Sequence, residues 1–184
     1  NGEIENSGFS ENKTLNIRVL IGKQVASVSG SDFSAKGLRE MIDRAVSNAK
    51  IVPPDMYAAI PSSEQLFKNY NLIEEICDAN TPELHDLKNQ ALEAEAAALS
   101  VAGITNSEGA GCSFGRYQVL LANSNGFSGG YHKTLAGLSC SVLAGEGTNM
   151  QRDYDYSTHC LYHKLKNPKE IGLQAANRTI KKLN

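Results

Sequence analysis

Residues 104–163 read ITNSEGAGCSFGRYQVLLANSNGFSGGYHKTLAGLSCSVLAGEGTNMQRDYDYSTHCLYH. Gly103, Asn125-Gly126, Gly129-Gly130 and Gly145-Glu146-Gly147 punctuate this stretch into four strand-like runs. Turns that need positive φ select such residues. Between them, Gln118–Leu121, Leu138–Leu143 and Tyr154–Tyr162 are rich in branched and aromatic residues, a spacing that predicts an antiparallel meander. Helical patterns flank it at Glu83–Ser100 and Asn167–Leu183. The expected class is α+β, an antiparallel β-meander flanked by helices.

Both helices announce their starts. Thr81-Pro82-Glu83 supplies a cap, a proline for the first helical position and an acid in the first turn. Leu84, Leu87, Ala91, Leu92, Glu95, Ala98 and Leu99 follow at helical spacing, and Gly103 ends the run. The small residues from Ala91 to Ala98 imply a close approach to a sheet. Asn167-Pro168-Lys169-Glu170 repeats the start signal, with Ile171, Ala175, Thr179 and Leu183 as the buried stripe.

Upstream, Ile4 and Phe9 are the apolar points of a weak edge strand within residues 2–10. Leu15–Ile21 alternates with Ile17, Val19 and Ile21 on one face, Gly22-Lys23 turns, and Gln24–Ser29 returns. Ser31, Asp32 and Ser34 offer cap oxygens before Leu38, Met41, Ile42, Ala45, Val46 and Ala49. Pro53-Pro54 stops that helix. Asp55–Ala79 is irregular, with one short helix and an apolar patch at Leu72–Ile76. Two domains result: residues 1–80, an N-terminal β-hairpin plus helix subdomain, and residues 81–184, a helix, a four-stranded meander and a helix.

The 184 residues are 41% hydrophobic and 21% charged, ordinary for a globular chain. A net charge of −2 speaks against direct nucleic-acid binding. Lys164, Lys166, Lys169, Arg178, Lys181 and Lys182 read as a solvated face. No apolar run reaches the ~20 residues a spanning helix needs, so no membrane partner is expected. The chain opens at Asn1 without Met, which suggests a fragment or trimmed chain. Four scattered cysteines fit reduced thiols in a cytoplasm better than a secreted disulfide scaffold.

Several motifs invite chemistry. Gly109–Gly115 resembles a phosphate loop, but strand-like residues follow it and no Gly-Lys-Ser/Thr is present, so a bulged strand is expected. His159 and His163 on a strand would lie roughly 13 Å apart, too far for one zinc. Cys140 alternates as a structural strand residue. Met150–Tyr156 crowds two carboxylates, Arg152 and two tyrosines together, either a solvated edge or a polar wall for a peptide or another subunit.

At this run and at Leu120–Phe127 the chain acquires a likeness. VLLANSNGFSGGY, LSCSVLAGEGTNMQRDYDYS and GLQAANRTIKKL, with the earlier IRVLIGKQVASVSGSDFS, resemble the TldD/PmbA family, within it the PmbA (TldE) branch, once called modulator of DNA gyrase and linked to microcin maturation. The resemblance covers nearly the whole chain. It implies a heterodimeric zinc metallopeptidase for unfolded or extended peptides, with the metal held by a His-Glu-x-x-x-His motif and a distant Cys of the TldD partner. Here no His precedes Glu, so no catalytic residue carries over and no cofactor is expected in this chain; zinc belongs to the partner subunit. The chain looks like most of the N-terminal half of such a subunit, beginning inside the first domain and lacking a C-terminal one. The expected role is non-catalytic binding of an unfolded peptide and a TldD-like subunit, with a homodimer also open. The candidate binding residues are Asn123, Asn125, Arg152, Asp153 and Tyr154. The alternative is a regulatory protein that contacts DNA gyrase.

Overall fold

The computed structural model describes residues 2–68 and 76–183. Two compact units emerge, one of residues 7–66 with 123–127, the other of the remainder. The fold is α+β, as the sequence predicts.

In the first unit, β1 (Leu15–Ile21) and β2 (Gln24–Gly30) form an antiparallel hairpin in which Ile17 faces Val28 and Val19 faces Ala26. Helix α1 (Ala35–Ile51) lays Met41 and Ala45 on Val28, with Leu15, Ile17 and Val19 around them. Ser34 caps it by accepting the Gly37 N–H at 3.0 Å. Residues 2–10 form no strand, because Ile4 and Phe9 stay exposed and find no ladder. A 3₁₀ turn at Ser63–Gln65 is the structure found in the connecting segment; the predicted patch at Leu72–Ile76 lies, up to residue 75, outside the described residues.

In the second unit, β3 (Ile104–Ala122), β4 (Ser128–Ala144) and β5 (Gln151–His159) form one antiparallel sheet in sequence order. The meander has three strands rather than four. Gly129 and Gly130 do not turn the chain; they lie inside β4 opposite Leu121 and Leu120. A Cβ on Gly130 would sit 2.4 Å from the Val119 carbonyl oxygen, so this glycine serves close strand contact. Bulges interrupt β3 near Ile104/Asn106 and Ser107/Gly109.

Helices α2 (Leu84–Leu99) and α3 (Pro168–Lys181) pack together and onto one face of this sheet. Leu138, Cys140, Val142, Ala94, Ala98, Ile171, Ala175 and Ala176 form the core. The predicted stripe of α3 holds except at Leu183, which stays partly exposed. Asn167 caps α3 as expected, accepting the Lys169 N–H at 2.9 Å. Helix α2 begins later than Thr81-Pro82-Glu83 suggests. Arg116 donates to the Thr81 hydroxyl at 3.2 Å, while Asp86 accepts the Glu83 N–H at 3.1 Å, so Glu83 becomes the cap.

The tightest contact is between the helices. A Cβ on Gly172 would lie 2.0 Å from the Ala94 carbonyl oxygen and 3.0 Å from the Ala98 nitrogen. Gly172→Ala therefore has to push α3 off α2, and overpacking of this kind costs about 1–3 kcal/mol or more. A lower urea midpoint than wild type is the expected outcome.

Asp78 ties three segments of the same unit. Its N–H donates to the Thr134 hydroxyl at 2.7 Å, and that hydroxyl donates to the Cys160 carbonyl at 2.6 Å. Its carboxylate accepts the Tyr162 N–H at 2.9 Å and the Asn80 N–H at 3.2 Å. The Tyr162 N–H, with smaller help from Asn80, His163 and Arg116, holds this carboxyl below its ordinary value against the opposing effect of burial. A folded-state pKa below the unfolded one stabilises the fold at pH above the unfolded value, and that stability is lost as pH falls through the folded pKa. Acid unfolding should steepen below about pH 4, and Asp78→Asn should flatten that limb in urea titrations at several pH values.

Candidate functional site

Alternation along β4 separates the sheet's two faces. Thr134, Ala136, Leu138, Cys140, Val142 and Ala144 are buried beneath the helices. Gly137, Ser139 and Ser141 point to the other face, which neither α2 nor α3 covers. Register brings Gly111 and Tyr156 beside Ser139, and Ser113 and Thr158 beside Gly137. The result is a trough of about 470 Å³ floored by Gly111, Ser113, Gly137 and Ser139 and walled by Tyr154 and Tyr156. The two tyrosine rings stack with centroids 6.2 Å apart.

Arg152 lies on the same face, one step further along β5. It forms an ion pair with Glu108, and the Ser141 hydroxyl donates to the same carboxylate at 2.7 Å. The Ser141 bond, then Arg152, hold the Glu108 carboxyl below its ordinary value. Charge at this end of the trough is thus internally neutralised.

Asp153 faces the helices instead. Its carboxylate pairs with Lys182 at 3.0 Å and accepts the Tyr154 N–H at 2.8 Å, the latter being the larger cause of its lowered pKa. Asp155 is 4% exposed and pairs with Arg178 at 2.9 Å; its second oxygen has no partner among the described residues. Arg178 also donates to the Tyr154 carbonyl at 3.2 Å, and Lys182 to the Arg152 carbonyl at 2.9 Å. Two cations of α3 therefore occupy backbone acceptors of β5. The C-terminal basic cluster is partly engaged in this way, and Lys169 pairs with Glu93.

Asn123 and Asn125 belong to the β3–β4 turn, beyond the Ala122–Ser128 end of the ladder, whereas β5 pairs with β4 at residues 136–144. The Asn123 side-chain oxygen accepts the N–H groups of Asn125 and Phe127, which closes the turn. Asn125 donates to the Pro61 carbonyl at 2.9 Å. Asn123 thus shapes its own turn, and Asn125 ties that turn to Pro61.

The other motifs resolve locally. Gly109–Gly115 lies wholly within β3. β5 ends at His159, and His163 sits in a 3₁₀ turn, so the two imidazoles share no strand face. The turn forms because the Leu161 N–H donates to His159 Nδ1 and the Tyr162 N–H to Asp78. His163 Nδ1 lies 4.0 Å from the Asp78 carboxylate. Among the described residues no three His, Cys, Asp or Glu side chains are grouped to hold a metal, so the zinc of the resembling proteins finds no ligand set among them. Burial pushes the Cys112 and Cys140 thiols up to about 11, away from nucleophilic use. No described helix is long and apolar enough to cross a membrane. The floor residues Gly137 and Ser139 escaped the sequence reading, while Gly111 and Ser113 entered it only within a run read as a bulged strand and Tyr156 only within the Met150–Tyr156 run; small residues alternating on two strands were the signal, legible only with the register known.

Comparison with known proteins bears on this geometry. Residues 77–183 match the PmbA/TldA metallopeptidase central domain, and residues 1–49 match PmbA/TldA metallopeptidase domain 1. The metalloprotease PmbA homolog of Haemophilus influenzae is 30% identical over 99% of this chain, and the metalloprotease PmbA of Escherichia coli O157:H7 is 29% identical over all of it. The chain spans only 40% and 41% of those two proteins. A Bacteroides thetaiotaomicron protein described as a modulator of DNA gyrase shares the fold with a TM-score of 0.83 at 21% identity, over 92% of this chain and 39% of that one. TldE from Thermococcus kodakarensis does so with a TM-score of 0.70 at 15% identity, over 97% and 40%. The domain match across the sheet and its two helices is decisive: the chain belongs to the PmbA/TldD metallopeptidase family.

Proposed function

We propose that this chain is the non-catalytic, peptide- and partner-binding portion of a PmbA-like subunit in a heterodimeric zinc metallopeptidase that degrades or matures unfolded peptides. The carrying observation is the contrast between the two edges of the sheet. The β5 edge is occupied at Arg152 and Tyr154 by Lys182 and Arg178. The β3 edge runs 19 residues and pairs with no strand among the described residues. An open edge accepts an extended peptide through main-chain hydrogen bonds, a mode that tolerates many sequences. From Arg116 to Ala122 every residue of β3 is exposed, including Tyr117, Val119, Leu120 and Leu121. Exposed apolar edges of this length are normally covered in the assembled protein. The catalytic zinc and its ligands reside in a TldD-like partner.

The regulatory reading, contact with DNA gyrase, draws on the description of the Bacteroides thetaiotaomicron relative. It predicts capture of gyrase subunits and no gain of proteolysis. Hydrolysis of an unfolded protein substrate with zinc, by this chain, by a TldD-like subunit and by the mixture, separates the two. The expected outcome is turnover by the mixture above that of the partner alone. Turnover by this chain alone, or none gained on mixing, would sink the proposal.

A further inference from the structure

Gly111 has no reason to be glycine inside this chain. It lies in the middle of β3, its φ is not in the positive range, and a Cβ built on it meets nothing within 4 Å among the described residues. Glycine in a strand interior costs roughly 0.5–1 kcal/mol relative to alanine, and it often marks a place where another chain or ligand comes close. By contrast Gly172 and Gly130 are explained by internal contacts at 2.0 and 2.4 Å.

Gly111 forms the outer floor of the trough, and Ser113, Gly137 and Ser139 continue that floor inward. Tyr154 and Tyr156 wall the β5 side, while the β3 side has a floor and no wall. The trough therefore opens towards the β3 edge, which pairs with no strand among the described residues. A strand added there would stand about 4.8 Å from β3, with alternate side chains on the open face beside Gly111 and Ser113. With no side chain at Gly111 and only a hydroxymethyl at Ser113, such a side chain could lean across the floor towards the stacked tyrosines.

The lining also fixes the character of that side chain. Gly111, Ser113, Gly137, Ser139, Tyr154 and Tyr156 carry no ion-pairing charge, in a chain where 21% of residues are charged. Glu108 and Arg152, one step further along the same face, neutralise each other. A carboxylate or ammonium laid on this floor would lose water and gain no partner, whereas an aromatic or aliphatic group would meet tyrosine faces.

We infer that the trough is a side-chain subsite of the β3 edge, selecting large uncharged residues at the open-face positions of an extended peptide. This rests on the peptide-binding reading above and adds to it a place and a preference. The edge supplies affinity through the main chain, and the trough supplies selectivity.

The test uses fluorescence polarisation with the 184-residue chain and two short fluorescein-labelled peptides, one alternating Phe with Thr, the other with Asp in place of Phe. Wild type should bind the Phe peptide more tightly. Gly111→Val fills the outer floor, where a Cβ meets nothing within 4 Å among the described residues, and suits a strand, so its urea midpoint should not fall. It should weaken the Phe peptide roughly tenfold, the scale of a misfit in an apolar pocket, and leave the Asp peptide unchanged. Tyr154→Ala, at a half-exposed position, should weaken the Phe peptide in the same selective way. Phe-peptide binding unaffected by either variant would overturn the subsite and leave edge binding standing. Equal loss for both peptides would also overturn it, since the edge rather than the trough would then be disturbed. Binding of neither peptide to wild type would overturn subsite and peptide-binding reading together. A change in self-association with Gly111→Val, read by light scattering, would assign the trough to a second copy of the chain instead.

Discussion

The backbone contact of Gly172 on Ala94 sets the arrangement of the larger unit. Because α3 carries no side chain there, the two helices approach closely enough to share one face of a three-stranded sheet. Ala98, Ala175 and Ala176 keep the seam narrow, so Leu138, Cys140 and Val142 are sealed by two helices of small residues. Three strands give little width, and both helices are used on one side. Among the described residues no α-helix of this unit remains for the opposite face, which fits a floor of Gly and Ser in place of a second core.

The two edges of that sheet are treated differently by the same helix. Arg178 and Lys182 each hold a carboxylate of β5 and a carbonyl of the same strand. Exposed ion pairs alone contribute little, in the range of about 0–1 kcal/mol. Asp155, however, is buried, and among the described residues Arg178 is its ion-pair partner. Such a pair defines a position more than it adds stability, since breaking it leaves an uncompensated buried charge. The strand held by α3 is thereby fixed and blunted, while among the described residues of α3 none does the same for β3 at the far edge.

Much of this was legible in the sequence where local chemistry decides. Asn167-Pro168 started α3, Ser34 started α1 and the alternation of Leu15–Ile21 set the hairpin, because each depends on neighbours a few residues away. The errors arose where a distant group intervened. Thr81 lost its capping role to Arg116, and the strand expected to continue to Tyr162 ended at His159 because Asp78 claims the Tyr162 N–H. Gly129-Gly130 read as a turn because composition does not distinguish a glycine that bends from one that admits a neighbour. The polar run at Arg152–Tyr154 stood out, but alternation sends Arg152 and Tyr154 to one face and Asp153 to the other. Of the asparagines of the β3–β4 turn, grouped with that run by sequence likeness, Asn123 closes its own loop and Asn125 reaches the Pro61 carbonyl.

The close helix seam has a consequence for synthesis of the chain. Ala94 and Gly172 are separated in sequence by β3, β4 and β5, so the seam is among the last contacts of this unit available to a chain emerging from its N-terminus. Strands β3 and β4 are joined by a short Asn-Gly turn and can zip without outside help. Until α3 emerges, the apolar face of the sheet and the alanine face of α2 have only each other for cover. Within this unit, the last helix to be made is therefore the one that closes the core.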